Sequence, residues 1–291
     1  MLACSGPAVR PGPRVAKPGP TFRPHGYGPK SAATREGARG CGVALGRSAV
    51  ITAFPGGPLE SAARLAWLFD VDGTLLLTGG AAREAFACAA REHLGVEDDL
   101  ADIAFAGRTE PLILRDILLK HGRTLDSADE ARYWEAVFFH MRRLLRPGRG
   151  RLMPGIPALL DCIAAERGWL IGLLTGNMTQ MAHIKLAHFG LDGRFAFGGF
   201  GEMAADRDAL ARALVARIGR EHGVPPGRCI VVGDTGHDIA CAHAAGARVV
   251  AVATGSSSKA ALAAHGPDLV LDDLSDAGAV IEWGRSLAAR D

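Results

Sequence analysis

Short apolar runs that stop at an acid, a glycine or a threonine alternate along this chain with stretches of helical pattern. That alternation leaves few folds open. The runs are LAWLF (65–69), WLIGLLT (169–175), FAFGGF (195–200), CIVVGD (229–234) and RVVAVAT (248–254). The helical stretches lie at about 156–167, 178–189, 207–222 and 237–245. An apolar run with no polar alternation is what a parallel strand buried on both faces looks like. Strands of that kind separated by helices predict an α/β fold, a doubly wound, Rossmann-like parallel sheet.

One interval breaks the rhythm. Residues 78–150 contain no run with strand character and read as three helices, AAREAFACAAREHLG, EPLILRDILLKHG and DEARYWEAVFFHMRRLL. A segment of this length is too long for a strand-to-helix loop and needs hydrophobic contacts of its own. We therefore expect a helical cap, 78–150, inserted into a core made of 65–77 and 151–291. Residues 1–60 are expected to be a disordered tail, because prolines at 7, 11, 13, 18, 20, 24 and 29 prevent a helix and little there can be buried. The tail also explains the charge. Its first fifty residues hold eight Lys or Arg and one acid, Glu36, so the overall +2 leaves the rest of the chain at a net −5. A mildly acidic domain argues against a nucleic-acid footprint, and no apolar run is long enough to span a bilayer. The six cysteines show no zinc-type spacing and read as small buried residues of a reducing, cytoplasmic compartment. An organelle address in the basic tail is the minor alternative.

The chemistry concentrates where strands end. In LFDVDGTLL (68–76), Asp70 and Asp72 directly follow the first apolar run, with Gly73 and Thr74 next. Ligands of open α/β sheets bind outside the carboxyl ends of the strands. Paired carboxylates at such a place need a partner, and a hard divalent cation such as Mg²⁺ is one. A carboxylate can also attack phosphorus. Two other readings compete for this motif: a solvated Asp-Gly turn and a calcium loop. The calcium loop requires Glu at its twelfth position, where this chain has Ala81.

Three further elements fall at strand ends or helix starts. VVGDTGHD (231–238) places Asp234 and Asp238 four apart, on one face of a helix that begins there, as metal ligands or as helix caps. LLTGN (173–177) offers Thr175 and a Gly176–Asn177 turn, suited to a phosphate or to ordinary turn chemistry. Arg207 opens the stretch RDALARAL and could supply positive charge to a phosphoryl group. His237 lies between the two acids and reads as solvated rather than ligating.

Together these elements resemble the haloacid dehalogenase (HAD) superfamily over residues 65–275. The resemblance implies that Asp70 is a nucleophile and Asp72 an acid and base whose backbone carbonyl also reaches the metal. It further implies that Thr175 binds phosphate, that Arg207 stabilises the phosphoryl group in the place commonly held by Lys, and that Asp70, Asp72, Asp234 and Asp238 hold Mg²⁺. Dehalogenases proper lack the second acid of the first motif, so Asp72 points to phosphoryl transfer. FAGRTEP (105–111) and GDTGHDIACAHAAGA (233–247) resemble phosphoglycolate-phosphatase-like members. That likeness adds Arg108 and Thr109, which could read the leaving group or belong to a plain helix-connecting loop, as substrate-binding candidates beside Thr74 of the first motif and Gly176 and Asn177 of the turn. The expected activity is Mg²⁺-dependent hydrolysis of a small phosphorylated metabolite. The alternatives are a phosphomutase and, less favoured, a non-catalytic scaffold for phosphorylated ligands.

Overall fold

The computed structural model describes residues 64–289. The expected tail, 1–60, lies outside the described residues.

Six parallel strands form one sheet: β1 (Leu65–Phe69), β4 (Trp169–Leu174), β5 (Phe197–Gly199), β6 (Cys229–Gly233), β7 (Arg248–Val252) and β8 (Leu269–Leu271). Their spatial order is β5-β4-β1-β6-β7-β8, so β1 lies inside the sheet and pairs with β4 and β6. Every residue of β1 is buried, which is why its sequence shows no polar alternation. Helices α4 (Ile156–Ala165), α5 (Thr179–His188), α6 (Arg207–His222), α7 (Gly236–Ala244), α8 (Lys259–Ala263) and α9 (Ala277–Ala288) connect and flank the strands. Two apolar clusters result. One gathers Trp67, Phe69, Leu160 and Val280, the other Leu68, Leu214, Val231 and Ile239. Alternate residues of β1 fall into opposite clusters, as the two-residue period of a strand requires.

The interval 78–150 is helical, with α1 (Ala81–Leu94), α2 (Glu110–Lys120) and α3 (Ser127–Leu144). Asp126 starts α3 by accepting from the N–H groups of Ala128 and Asp129 at 2.9 and 2.8 Å. These helices share an apolar cluster in which the Phe86 ring meets those of Tyr133, Trp134 and Phe105 edge to face.

Several elements go beyond the sequence reading. The short strands β2 (Leu76–Leu77) and β3 (Arg151–Leu152) form an antiparallel ribbon where the chain leaves the core for the helices and where it returns. Strand β8 is only three residues long and half-buried, too short to register as an apolar run. Helix α9 covers β1 and β4 through Gly284, where a Cβ would collide with Trp67 and Trp169. No helix among the described residues is long and apolar enough to cross a membrane.

Candidate active site

Strands β1, β4 and β6 deliver their C-terminal residues to the same end of the sheet, because all three run parallel. Asp70 follows β1, Thr175 follows β4 and Asp234 follows β6. A cavity of about 420 Å³ opens there, between the strand ends and the first two helices of the 78–150 interval, α1 and α2, with the loop that joins them. Asp70, Asp72, Asp234 and Arg207 line its floor, and Gly176, Asn177 and Arg108 line its side.

Arg207 is the hinge of the electrostatics. Helix α6 begins at Arg207 because Asp206 caps it, accepting from the Ala209 N–H at 2.8 Å. Its buried guanidinium lies 3.1 Å from an Asp70 oxygen and donates to Asp238. Burial opposes that charge, yet Asp238 and Asp70 overcome it and raise the Arg207 pKa well above its ordinary value. Asp238 spends its other oxygen on Thr235, accepting from the hydroxyl at 2.6 Å and from the backbone N–H at 3.0 Å, and so closes the capping box of α7. Asp238 is therefore held between a helix cap and Arg207.

Asp70, Asp234 and Asp238 bring carboxylate oxygens within 4.8 Å of one another. Burial first, then the neighbouring acids, push Asp234 up to about 8 despite a hydrogen bond from Thr74 at 3.3 Å. Asp70 rises to about 6, mainly through burial, with Arg207 opposing. A buried set of oxygen donors that resist their own ionisation suits a hard divalent cation. Asp70 and Asp234 are the members with oxygens to spare. Backbone geometry reserves the space around Asp234. Gly73 has φ +85°, and a Cβ on Gly73 or on Gly255 would collide with the Asp234 carboxylate.

Asp72 has a cation of its own that the sequence reading missed. Lys185, 1% exposed, donates to Asp72 at 2.6 Å and to the Asn177 side-chain oxygen at 2.5 Å. Asn177 in turn donates to the same Asp72 oxygen at 2.8 Å and to the Thr175 hydroxyl at 2.8 Å. A signal was present: Lys185 shares the buried face of α5 with Met181, Ala182 and Leu186, and a lysine on an apolar face needs a partner.

The other expected contacts sort by position. Thr74, Thr109, Thr175 and Asp238 lie behind the cavity lining rather than on it. Thr109 is 2% exposed and packs beside Gly201, and among the described residues its hydroxyl has no hydrogen-bond partner. Gly176 accommodates the incoming backbone of Arg108, whose carbonyl oxygen a Cβ there would strike. His237 is exposed and lies under Gly107. Arg108 lines the cavity but is tied to Asp116 at 2.7 Å.

Glu110 seats the helical segment on the core. Its N–H donates to the Gly176 carbonyl and its carboxylate accepts from the Met178 N–H, both at 2.8 Å. Burial pushes Glu110 up to about 8, against the opposing pull of Lys185 and the Met178 N–H. The unfolded chain ionises near 4.5 while the folded chain keeps the proton to about 8. Folding stability at this position is therefore undiminished below 4.5 and falls as pH rises through that window, by up to about 1.4 kcal/mol per pH unit. Glu110→Gln keeps an acceptor for Met178 and has no proton to lose. Urea melts at pH 5, 6.5 and 8 should show its stability gaining steadily on the wild type. A difference that stays constant across pH would contradict the assignment.

The fold and the carboxylate-lined cavity at its strand ends define a phosphoryl-transfer enzyme of the α/β class. Residues 208–277 match a family model described as HAD-hyrolase-like. A 5'-nucleotidase of Pseudomonas aeruginosa is 30% identical over 220 residues, covering 74% of this chain and 94% of that protein. A phosphoglycolate phosphatase of Rhodospirillum rubrum is 30% identical over 218 residues, covering 72% and 88%. Among solved structures, a predicted phosphoglycolate phosphatase from Haemophilus somnus superposes with a TM-score of 0.61 at 21% identity, covering 76% of this chain and 99% of that one. The β-phosphoglucomutase of Clostridium difficile gives 0.61 at 20% identity, covering 77% and 99%. The chain belongs to the HAD-like hydrolases, among the phosphoglycolate-phosphatase-like members, and is a phosphatase.

Proposed function

We propose that the protein hydrolyses a small phosphate monoester through a phospho-aspartyl intermediate, with Asp70 as nucleophile and Asp72 as general acid and base. One observation carries the assignment: the two acids of the first motif have separate cations. Asp70, 5% exposed, faces Arg207, whereas the Asp72 side chain, 41% exposed, is steered by Lys185 and Asn177. A buried carboxylate beside a guanidinium is placed to meet phosphorus while Arg207 attracts the phosphoryl oxygens. A more open carboxylate with one oxygen pinned has the other available for proton transfer.

In this reading an Asp70 oxygen attacks phosphorus and the ester bond to the alcohol breaks. The departing oxygen takes its proton from Asp72. A water then gives its proton to Asp72 and attacks the same phosphorus, releasing phosphate and regenerating the Asp70 carboxylate. Mg²⁺, held by Asp70 and Asp234 with the Asp72 carbonyl, would neutralise charge on the phosphate oxygens. The raised Asp70 and Asp234 pKa values support that placement. The division into core (65–77 and 151–291) and cap (78–150) belongs to the same reading, as does a cytoplasmic location. The described cysteines, Cys88, Cys162, Cys229 and Cys241, are free thiols, which fits a reducing compartment.

The test is a panel of small phosphometabolites and sugar phosphates assayed with Mg²⁺. Stoichiometric release of inorganic phosphate is expected. Isomerisation of a sugar phosphate with little phosphate released would instead establish the mutase reading, and no turnover at all would leave the scaffold.

A further inference from the structure

The cavity above the carboxylates is larger and more apolar than a two-carbon leaving group needs. At about 420 Å³ it falls in the range of pockets that enclose drug-sized molecules. Leu77, Ala82, Phe105 and Ile113 form an apolar part of its wall. A glycolate-sized group has no apolar surface to set against them.

The same wall carries a cation in an unusual state. Arg83, on α1, stacks its guanidinium over the Phe105 ring at 5.1 Å from the centroid, and Phe86 braces that ring edge to face from behind. Arg83 donates from Nη1 to the Ala101 carbonyl at 3.1 Å. Among the described residues no carboxylate lies within ion-pair distance of it, whereas Arg108 on the same cavity is committed to Asp116. The uncommitted positive charge of the wall is therefore that of Arg83. A guanidinium held 5.1 Å from an aromatic centroid keeps its remaining N–H donors beside an apolar surface.

We propose that Arg83 and Phe105 form the leaving-group subsite, and that they select phosphate monoesters whose alcohol carries a flat, hydrogen-bond-accepting heteroaromatic ring. The ring packs against the apolar lining beside the Arg83–Phe105 pair, Leu77, Ala82 and Ile113, and ring acceptors take N–H groups from Arg83. This inference rests on the phosphatase reading, because it names what leaves when Asp70 attacks. It gives Arg83 the leaving-group contact for which the sequence offered Arg108 as a candidate.

Three substrates separate the two levels: a nucleoside 5'-monophosphate as the flat heteroaromatic ester, phosphoglycolate as the small anionic ester, and acetyl phosphate as a probe with no leaving-group contacts. kcat/KM is measured for the wild type, Phe105→Ala, Phe105→Leu and Arg83→Met. Phe105→Leu keeps the apolar bulk that supports Phe86 and removes only the flat face, and melting curves report folding for all four. The wild type is expected to favour the nucleotide over phosphoglycolate by at least about tenfold. Arg83→Met and Phe105→Leu should each lower the nucleotide value by about ten- to a hundredfold, mostly through KM, and change acetyl phosphate less than about threefold. A preference for phosphoglycolate, or equal losses on all three substrates in folded variants, would overturn the subsite. Absence of turnover on every substrate by the wild type would instead overturn the phosphatase reading beneath it.

Discussion

Asp70→Asn should lower kcat by at least about a thousandfold without lowering the melting temperature. The amide has the shape of the carboxylate but cannot supply the electron pair that bonds to phosphorus. The loss should therefore appear in kcat for every phosphate ester, whatever the leaving group. Stability should hold for an electrostatic reason. Asp70 is buried among acids that resist its charge, with Arg207 as the compensating contact. An amide loses part of the Arg207 interaction and is relieved of repulsion from Asp238 and Asp72. Asp70→Glu should be almost as inactive, since an extra methylene misplaces the attacking oxygen in a tightly packed site. The measurement is single-turnover phosphate release beside a thermal melt. A folded Asn variant retaining a tenth of the wild-type rate would remove Asp70 from the nucleophile role.

Removing the divalent cation should have a comparable effect. Exhaustive chelation should abolish turnover, and Mg²⁺ should restore it. A second readout needs no substrate. Asp70 and Asp234 are raised from 3.8 to about 6 and about 8, so the metal-free folded protein loses stability as pH rises through about 4 to 8. A cation bound to the ionised acids offsets that loss, whereas below pH 5 protons occupy its ligands. Saturating Mg²⁺ at a hundred times its Kd should stabilise the fold by about 2.7 kcal/mol. The rise in melting temperature should be larger at pH 8 than at pH 5. Full activity after chelation, or a Mg²⁺ shift that is absent or greater at pH 5, would refute the site.

The division between what was legible in the chain and what was not follows the range of the interactions. Strand β1 and the acids after it were visible because burial on both faces forces an unbroken apolar run, and the run must stop where the chain emerges at the sheet end. The helices of 81–94, 110–120 and 127–144 were visible because amphipathic periodicity is a local property. Strand β8 and the β2–β3 ribbon were hidden, being two or three residues long and defined by partners distant in sequence.

The site divides in the same way. Its residue types and their order are written in DVDGT, LLTGN and GDTGHD, since each motif sits at a strand end that the local pattern reveals. The pairing of charges is not written there. Lys185 lies 113 positions from Asp72, Arg207 lies 31 from Asp238, and Arg83 of α1 sits over Phe105 of the following loop. Those contacts give Asp70 and Asp72 separate cations and leave Arg83 without a carboxylate partner among the described residues. Sequence alone determined that carboxylates gather at the end of a parallel sheet. Only the tertiary structure decided which cation each one faces, because Coulomb interactions and desolvation depend on distance in space, and the chain brings those partners together only when it folds.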